Sequence, residues 1–174
     1  MRIIAGRWKG HGLQTVKGRD VRPTTDRVRE AWMSALGPDV VDARVVDLFA
    51  GSGALGLEAL SRGAASVVLV ERARGALTAI RANIERLGAE DEVRVVSDDV
   101  FRYLGRVDEP FDLAFADPPY GTGDAPRLVE AFTAAPFARE LWLEHPFRED
   151  LPLPEHAKTR RYGDTALTVL PAAE

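Results

Sequence analysis

From residue 45 to residue 144 short apolar runs alternate with longer amphipathic stretches, and this rhythm limits the possible folds more than any other feature of the chain. Val45-Val46-Asp47-Leu48-Phe49, Ser66 to Val70, Val93 to Val96, Phe111 to Ala116 and Glu140 to Glu144 read as strands. Between them, Ala54 to Arg62, Ala73 to Leu87 and Pro126 to Ala134 have helical spacing, and Gly63 and Gly88 stop the first two. Strands that are apolar almost throughout and separated by helices predict a parallel sheet covered on both faces and joined by right-handed crossovers. The end of the chain breaks the rhythm. Lys158 to Tyr162 and Thr165 to Leu170 flank Gly163-Asp164 and predict a closing antiparallel hairpin. The proline-rich stretch Leu151 to Pro154 leaves too little room for a full sixth helix before it.

A length of 174 residues suits one such domain, assigned to 23–174. Residues 1–22 contain Gly6, Gly10, Gly12 and Gly18 and read as a small hairpin or arm beside it. A helix capped by Thr24 or Thr25 and running to Leu36 places Val28, Ala31, Trp32 and Ala35 on one face. Cysteine is absent, which excludes disulfides, thiolate nucleophiles and iron–sulfur clusters. His11, His145 and His156 are scattered without metal-ligand spacing. No apolar run has the length of a membrane span, and the first residues lack the apolar core of a signal peptide. The expectation is a soluble, cytoplasmic, metal-free, monomeric protein. Its charge is uneven: residues 1–30 hold eight basic and three acidic side chains, the remainder 15 and 24. A basic arm on an acidic body points to a polyanion held at one end.

The first strand runs into Asp47-Leu48-Phe49-Ala50-Gly51-Ser52-Gly53-Ala54-Leu55-Gly56, a glycine-rich turn leading into a helix. Glu71 ends the next strand, twenty residues past Gly51, where an acid accepts from ribose hydroxyls. Asp47 lies inside the strand, where its charge repels a pyrophosphate and suits a cationic ligand. S-adenosylmethionine has a ribose, an ammonium and a sulfonium but no phosphate, and fits both carboxylates. The third strand ends at Ser97-Asp98-Asp99-Val100, where one aspartate could accept from an adenine amine and one could cap the next helix. Behind the fourth strand comes Asp117-Pro118-Pro119-Tyr120, at the sheet edge where open α/β folds place ligands. The prolines fix their own φ, restrict the residue before each, and remove N–H donors. What remains is a stiff row of acceptors beside an aromatic ring, suited to a planar group bearing an amine.

Together, Asp47 to Gly53, Glu71, Asp99 and Asp117-Pro118-Pro119-Tyr120 resemble the ordered motifs of a class I amino-methyltransferase. Arg2-Ile3-Ile4-Ala5-Gly6, Arg22 to Glu30 and Tyr162-Gly163-Asp164-Thr165 narrow the resemblance to the bacterial family that methylates N2 of a guanine in 16S ribosomal RNA, the RsmD-type enzymes. That family implies an α/β, Rossmann-like fold with a mostly parallel seven-stranded sheet in the order 3-2-1-4-5-7-6, strand 7 antiparallel. It implies that Asp47, Phe49, Ala50, Gly51, Ser52 and Gly53 hold the methionine part of S-adenosylmethionine, Glu71 the ribose, and Asp99 with the Val100 backbone the adenine. Asp117, Pro118, Pro119 and Tyr120 would then hold the target base, with S-adenosylhomocysteine as the second product. The basic residues Arg2, Arg7, Lys9, Lys17, Arg19, Arg22 and Arg29 would meet phosphates of 16S RNA or of the small subunit. Arg27 and Arg29 have a structural alternative in pairing with Asp26 or Glu30. Trp8 and Trp32 read as packing residues, and His145 as a satisfied histidine without a role. Two other functions stay open: an adenine-N6 methyltransferase on DNA or RNA, and a non-catalytic nucleotide-binding module.

Overall fold

The computed structural model describes residues 1–16 and 26–173. Lys17, Arg19, Arg22, Thr24 and Thr25 therefore lie outside the described residues. The elements are α1 (Asp26–Leu36), β1 (Arg44–Leu48), α2 (Ala54–Ser61), β2 (Ser66–Glu71), α3 (Arg74–Leu87), β3 (Val93–Ser97), α4 (Val100–Leu104), β4 (Phe111–Ala116), α5 (Asp124–Ala134), β5 (Ala138–Pro146), β6 (Lys158–Tyr162) and β7 (Thr165–Pro171). The seven strands form one sheet in the order β3-β2-β1-β4-β5-β7-β6. Every strand from β3 across to β5 is parallel to its neighbour, and β7 is antiparallel to both β5 and β6. This is the class I methyltransferase topology.

Alternation along the strands sends side chains into two core layers. Val45, Leu69, Phe115 and Trp142 face α1, α2 and α3. Val46, Leu48, Val70, Ala114 and Ala116 face α4 and α5. Trp32 of α1 is fully buried, edge-on to Phe115 at 5.5 Å and stacked on Trp142 at 6.5 Å between centroids. The inward stripe of α1 differs from the one expected. It comprises Arg29, Trp32, Met33 and Leu36, while Ala35 is exposed. Arg29 occupies an apolar slot because a carboxylate awaits it there: its Nε lies 3.9 Å from Glu58 Oε2 on α2, a residue with no exposure.

The N-terminal hairpin exists, but it is built onto the domain and is not a detached arm. Arg2 bridges Gly12, and Leu13 N–H donates to Met1 O at 2.8 Å. Both Glu58 oxygens accept from its backbone, Oε2 from Ile4 N–H at 2.9 Å and Oε1 from Ala5 N–H at 3.0 Å. Ser61 adds three bonds, accepting from Arg7 N–H and Trp8 N–H and donating to Ala5 O. Gly6 makes this approach possible: with φ at 85°, a Cβ on it would fall 1.9 Å from Ser61 O. Ile3 and Leu13 are buried in the first core layer, which contributes roughly 3–6 kcal/mol for the pair.

At the other end of the chain residues 147–157 contain no helix, in agreement with the shortened sixth crossover. Leu151, Leu153 and Ala157 of that stretch cover the second core layer in its place.

Candidate methyl-transfer site

Register brings the predicted residues to one edge. Leu48 lies opposite Val70 on one side and Ala116 on the other, and Glu71 lies opposite Ser97. The loops after β3, β2, β1 and β4 therefore open side by side across about 14 Å. After β1 the backbone turns at Phe49, whose φ of 59° is left-handed, a rare conformation for an aromatic residue and one that clusters at ligand sites. Ala50 N–H donates to Val70 O at 3.0 Å, and Gly51 N–H to Glu71 Oε2 at 2.9 Å.

The three glycines have three different tasks. Gly51, with φ at 57°, has nothing within 4 Å of where a Cβ would stand, so its backbone is open to a ligand. Gly53 takes φ at 81° ahead of α2. Gly56 lets α2 settle on the sheet, since a Cβ there would meet Leu69 Cδ2 at 2.6 Å and Val67 Cγ1 at 2.9 Å. Asn83 of α3, wholly buried, donates to Ser52 O at 3.0 Å and to Gln14 O at 3.1 Å, and accepts from Gln14 N–H at 2.7 Å. It ties the glycine loop to the N-terminal segment. Sequence reasoning passed over it, because an asparagine on a helix gives no signal of two partners this far away in the chain.

Carboxylates dominate the site. Glu71 is oriented by Gly51 N–H on one oxygen and by Arg72 N–H and Ala73 N–H on the other, at 2.8 and 2.9 Å. Its further lone pairs remain for hydroxyl donors. Asp47 is 2% exposed and accepts from Gly56 N–H at 2.9 Å. Burial pushes its carboxyl up to about 8, the Gly56 bond opposes, and the charges of Asp117 and Glu71 add to the rise. Its role thus begins as structural, clamping α2 to β1. Asp99 is the residue that caps α4, its Oδ1 accepting from Arg102 N–H at 3.0 Å, while Oδ2 lies 3.5 Å from Arg72. Asp98 pairs with Arg102 and Arg106. Val100 buries its side chain at 4% exposure and presents only its backbone. Beside it, Phe49 stands edge-on to Phe101 at 6.4 Å, and the Arg127 guanidinium caps Phe101 at 3.7 Å.

Asp117 through Tyr120 leave β4 with Pro118 buried, Asp117 and Tyr120 half-buried and Pro119 exposed. Thr122 Oγ1 donates to Pro119 O at 2.9 Å and stiffens the turn. The Tyr120 hydroxyl is hydrogen-bonded to Thr165 Oγ1 at the start of β7. Thr165 Oγ1 in turn lies 3.3 Å from Glu144 Oε1 and from His145 O. Two motifs 45 residues apart are thus one unit, and Thr165 is a site residue whose purpose the sequence did not disclose. His145 is buried between Thr168 Oγ1 at 2.7 Å and Pro146 O at 2.9 Å. Burial lowers its pKa, and the neutral ring donates through Nδ1 and accepts at Nε2.

The predicted phosphate contacts divide. Arg2, Arg7 and Lys9 are exposed on the hairpin, and Arg7 pairs with Glu92 at 2.6 Å while lying 3.9 Å above the Trp8 ring. Arg29 has to be withdrawn. It is 2% exposed and donates to Asp26 Oδ1 at 2.9 Å and to Arg2 O, so no phosphate reaches it in this fold. Its structural partners are Asp26 and Glu58, of which only the first was foreseen.

The family described as "Conserved hypothetical protein 95" matches residues 1–170. The chain belongs to that family. It is the RsmD family that the motifs pointed to. Over 123 residues, 71% of this chain, it is 44% identical to the ribosomal RNA small subunit methyltransferase D of Escherichia coli, and the match spans 62% of that relative's length. The solved structure of yhhF from Escherichia coli superimposes with a TM-score of 0.85 at 34% identity, covering 100% of this chain and 99% of that one. A hypothetical protein of Thermus thermophilus gives 0.86 at 33% identity, with 99% of each chain covered.

Proposed function

We propose that the chain transfers a methyl group from S-adenosylmethionine to the exocyclic N2 of a guanine in small-subunit ribosomal RNA. The observation that carries this reading is the register that sets Asp47, Glu71 and Asp117 at the ends of three adjacent strands on one sheet edge. An anionic ligand is repelled there, and a cation is drawn in. The open backbone at Gly51 and the spare lone pairs of Glu71 suit a ribose and an amino-acid tail, so the residues fit the cofactor. Its sulfonium, when bound, supplies an electrophilic methyl group. Family membership and the 44% identity to a ribosomal RNA methyltransferase support the RNA substrate.

The chain's own residues do the remaining work. Asp47 to Gly53 hold the methionine part, Glu71 the ribose, and Asp99 with the Val100 backbone the adenine. Asp117 and the Pro118 carbonyl accept the two N–H groups of the target amine and hold its lone pair out of conjugation with the ring. Weak acceptors suffice, because the nitrogen is acidic once it carries a fourth bond and then sheds its proton. The Tyr120 ring, steadied through Thr165, stacks on a base that has left its helix. No metal takes part. Arg2, Arg7 and Lys9, with Lys17, Arg19 and Arg22, meet the RNA backbone. The protein works as a monomer in the cytoplasm, and no helix among the described residues is long and apolar enough to cross a membrane.

Tritiated methyl transfer to unmethylated small subunits and to naked 16S RNA, followed by mapping and base analysis, tests the proposal. Label in N2-methylguanosine is expected; label in N6-methyladenosine, or none in either substrate, overturns it.

A further inference from the structure

Met1, Val41 and Phe147 are the exposed large apolar side chains among the described residues, and Phe147, 40% exposed, is the one aromatic of the three. The guanidinium of Arg161 lies 4.2 Å above its ring and is steadied by Nε donating to Gly163 O at 2.7 Å. Phe147 N–H donates to Asp164 O at 2.8 Å, which fixes the residue against the β6–β7 turn. The preceding Pro146 pairs with Thr165, whose hydroxyl bonds Tyr120. The Phe147–Arg161 stack therefore stands at the rim of the base pocket.

Arg148, next to Phe147 in the chain, is exposed, as are Lys158 and Arg160 on the same edge strand as Arg161. Among the described residues none of these three, nor Arg161, forms an ion pair, whereas Arg62, Arg102 and Arg106 do. Their position is also informative. The N-terminal hairpin sits on α2 and reaches Glu92 just ahead of β3, at the strand ends away from the pocket. Phe147 follows β5, at the strand ends where the pocket lies.

Basic side chains on an edge strand discourage sheet-to-sheet pairing, and that accounts for Lys158 and Arg160. It does not account for a phenylalanine held in water beneath a guanidinium. A flat ring with a cation on it matches a nucleotide, whose base stacks and whose phosphate meets the charge. An enzyme that holds a base outside its helix also needs a grip on the strand from which the base came. Building on the function argued above, we propose that Phe147 and Arg161 form a stacking platform for an unpaired RNA nucleotide flanking the target guanine.

Steady-state methylation of small-subunit RNA by the full chain tests this, with Phe147→Ala, Phe147→Trp and Arg161→Ala compared to wild type. Phe147→Ala should raise the KM for RNA about tenfold, with kcat, melting temperature and S-adenosylmethionine affinity unchanged. Phe147→Trp should restore the wild-type KM. Arg161→Ala should weaken RNA binding and reduce the slope of log affinity against log salt by about 1. Unchanged KM and salt slope in both alanine variants, beside an active wild type, overturn the platform. So does a loss in Phe147→Ala that tracks a lowered melting temperature and is not rescued by tryptophan. A wild type that transfers no methyl group to RNA defeats the underlying function instead.

Discussion

Asp47 is a carboxyl group held in the middle of a sheet at 2% exposure, with the Gly56 N–H as its bonded donor. Its folded pKa of about 8 lies far above its ordinary value of 3.8, so the folded protein keeps a proton that the unfolded chain gives up. The sign follows from linkage: this contribution to stability is complete below about pH 4, declines as pH rises, and is lost above about pH 8. Asp47→Asn retains an acceptor for Gly56 and cannot ionise. Its stability advantage over wild type should grow between pH 5 and pH 9, as read from urea midpoints of the ligand-free protein. A cation in the site draws the proton off, so S-adenosylmethionine binding to wild type at pH 7 should release a fraction of a proton. Calorimetry in buffers of different ionisation enthalpy measures that release, which Asp47→Asn should abolish along with much of the affinity. Asp117→Ala separates the other role. It should lower kcat by at least about 100-fold, with S-adenosylmethionine affinity changed less than about threefold; loss of cofactor binding in that variant would place Asp117 in the wrong group.

Between elements, the joints that matter are polar and far apart in sequence. Glu58 of α2 gathers Ile4 N–H, Ala5 N–H, Arg62 and Arg29, and so binds the hairpin, α1 and α2 together. Arg29→Ala should cost about 1–3 kcal/mol in urea unfolding, because it empties a buried slot on α1 and removes one of the two guanidinium groups beside Glu58. A direct phosphate contact would instead give weaker RNA binding at unchanged stability. Here lies the boundary of what the chain discloses when read as letters. Apolar spacing identified all seven strands and the closing hairpin, because the period of a strand and its flanking glycines are local properties. The family motifs supplied the strand order. On α1, spacing sought an apolar face, chose Val28, Ala31, Trp32 and Ala35, and so missed the inward stripe that holds Arg29. Asn83 and Thr165 were equally silent, since their work is done on residues 31, 69 and 45 positions away. The positions of Asp47, Glu71 and Asp117 were legible for the opposite reason: each lies at or next to a strand end, which local spacing locates.

Across the whole molecule the charge division seen in the sequence becomes a geometry. The exposed hairpin cations lie on the α2 and β3 flank of the sheet, and the cations of β6 on its opposite edge strand. With Arg29 removed from the interface, about five phosphate contacts predict that log affinity for RNA falls against log salt with a slope of roughly −3.5 to −4.5. Filter binding between about 50 and 200 mM salt reads this directly, and a slope near −1 would mean that the basic hairpin is not the contact surface. The sheet order has a consequence for synthesis. β7 comes last of the seven strands in the chain yet lies between β5 and β6, and it carries the hydroxyl that holds Tyr120. A chain still leaving the ribosome has neither a closed sheet nor a fixed tyrosine. A fragment ending before Thr165 lacks the strand that joins β5 to β6 and the partner of Tyr120, so it is expected to transfer no methyl group in the tritium assay.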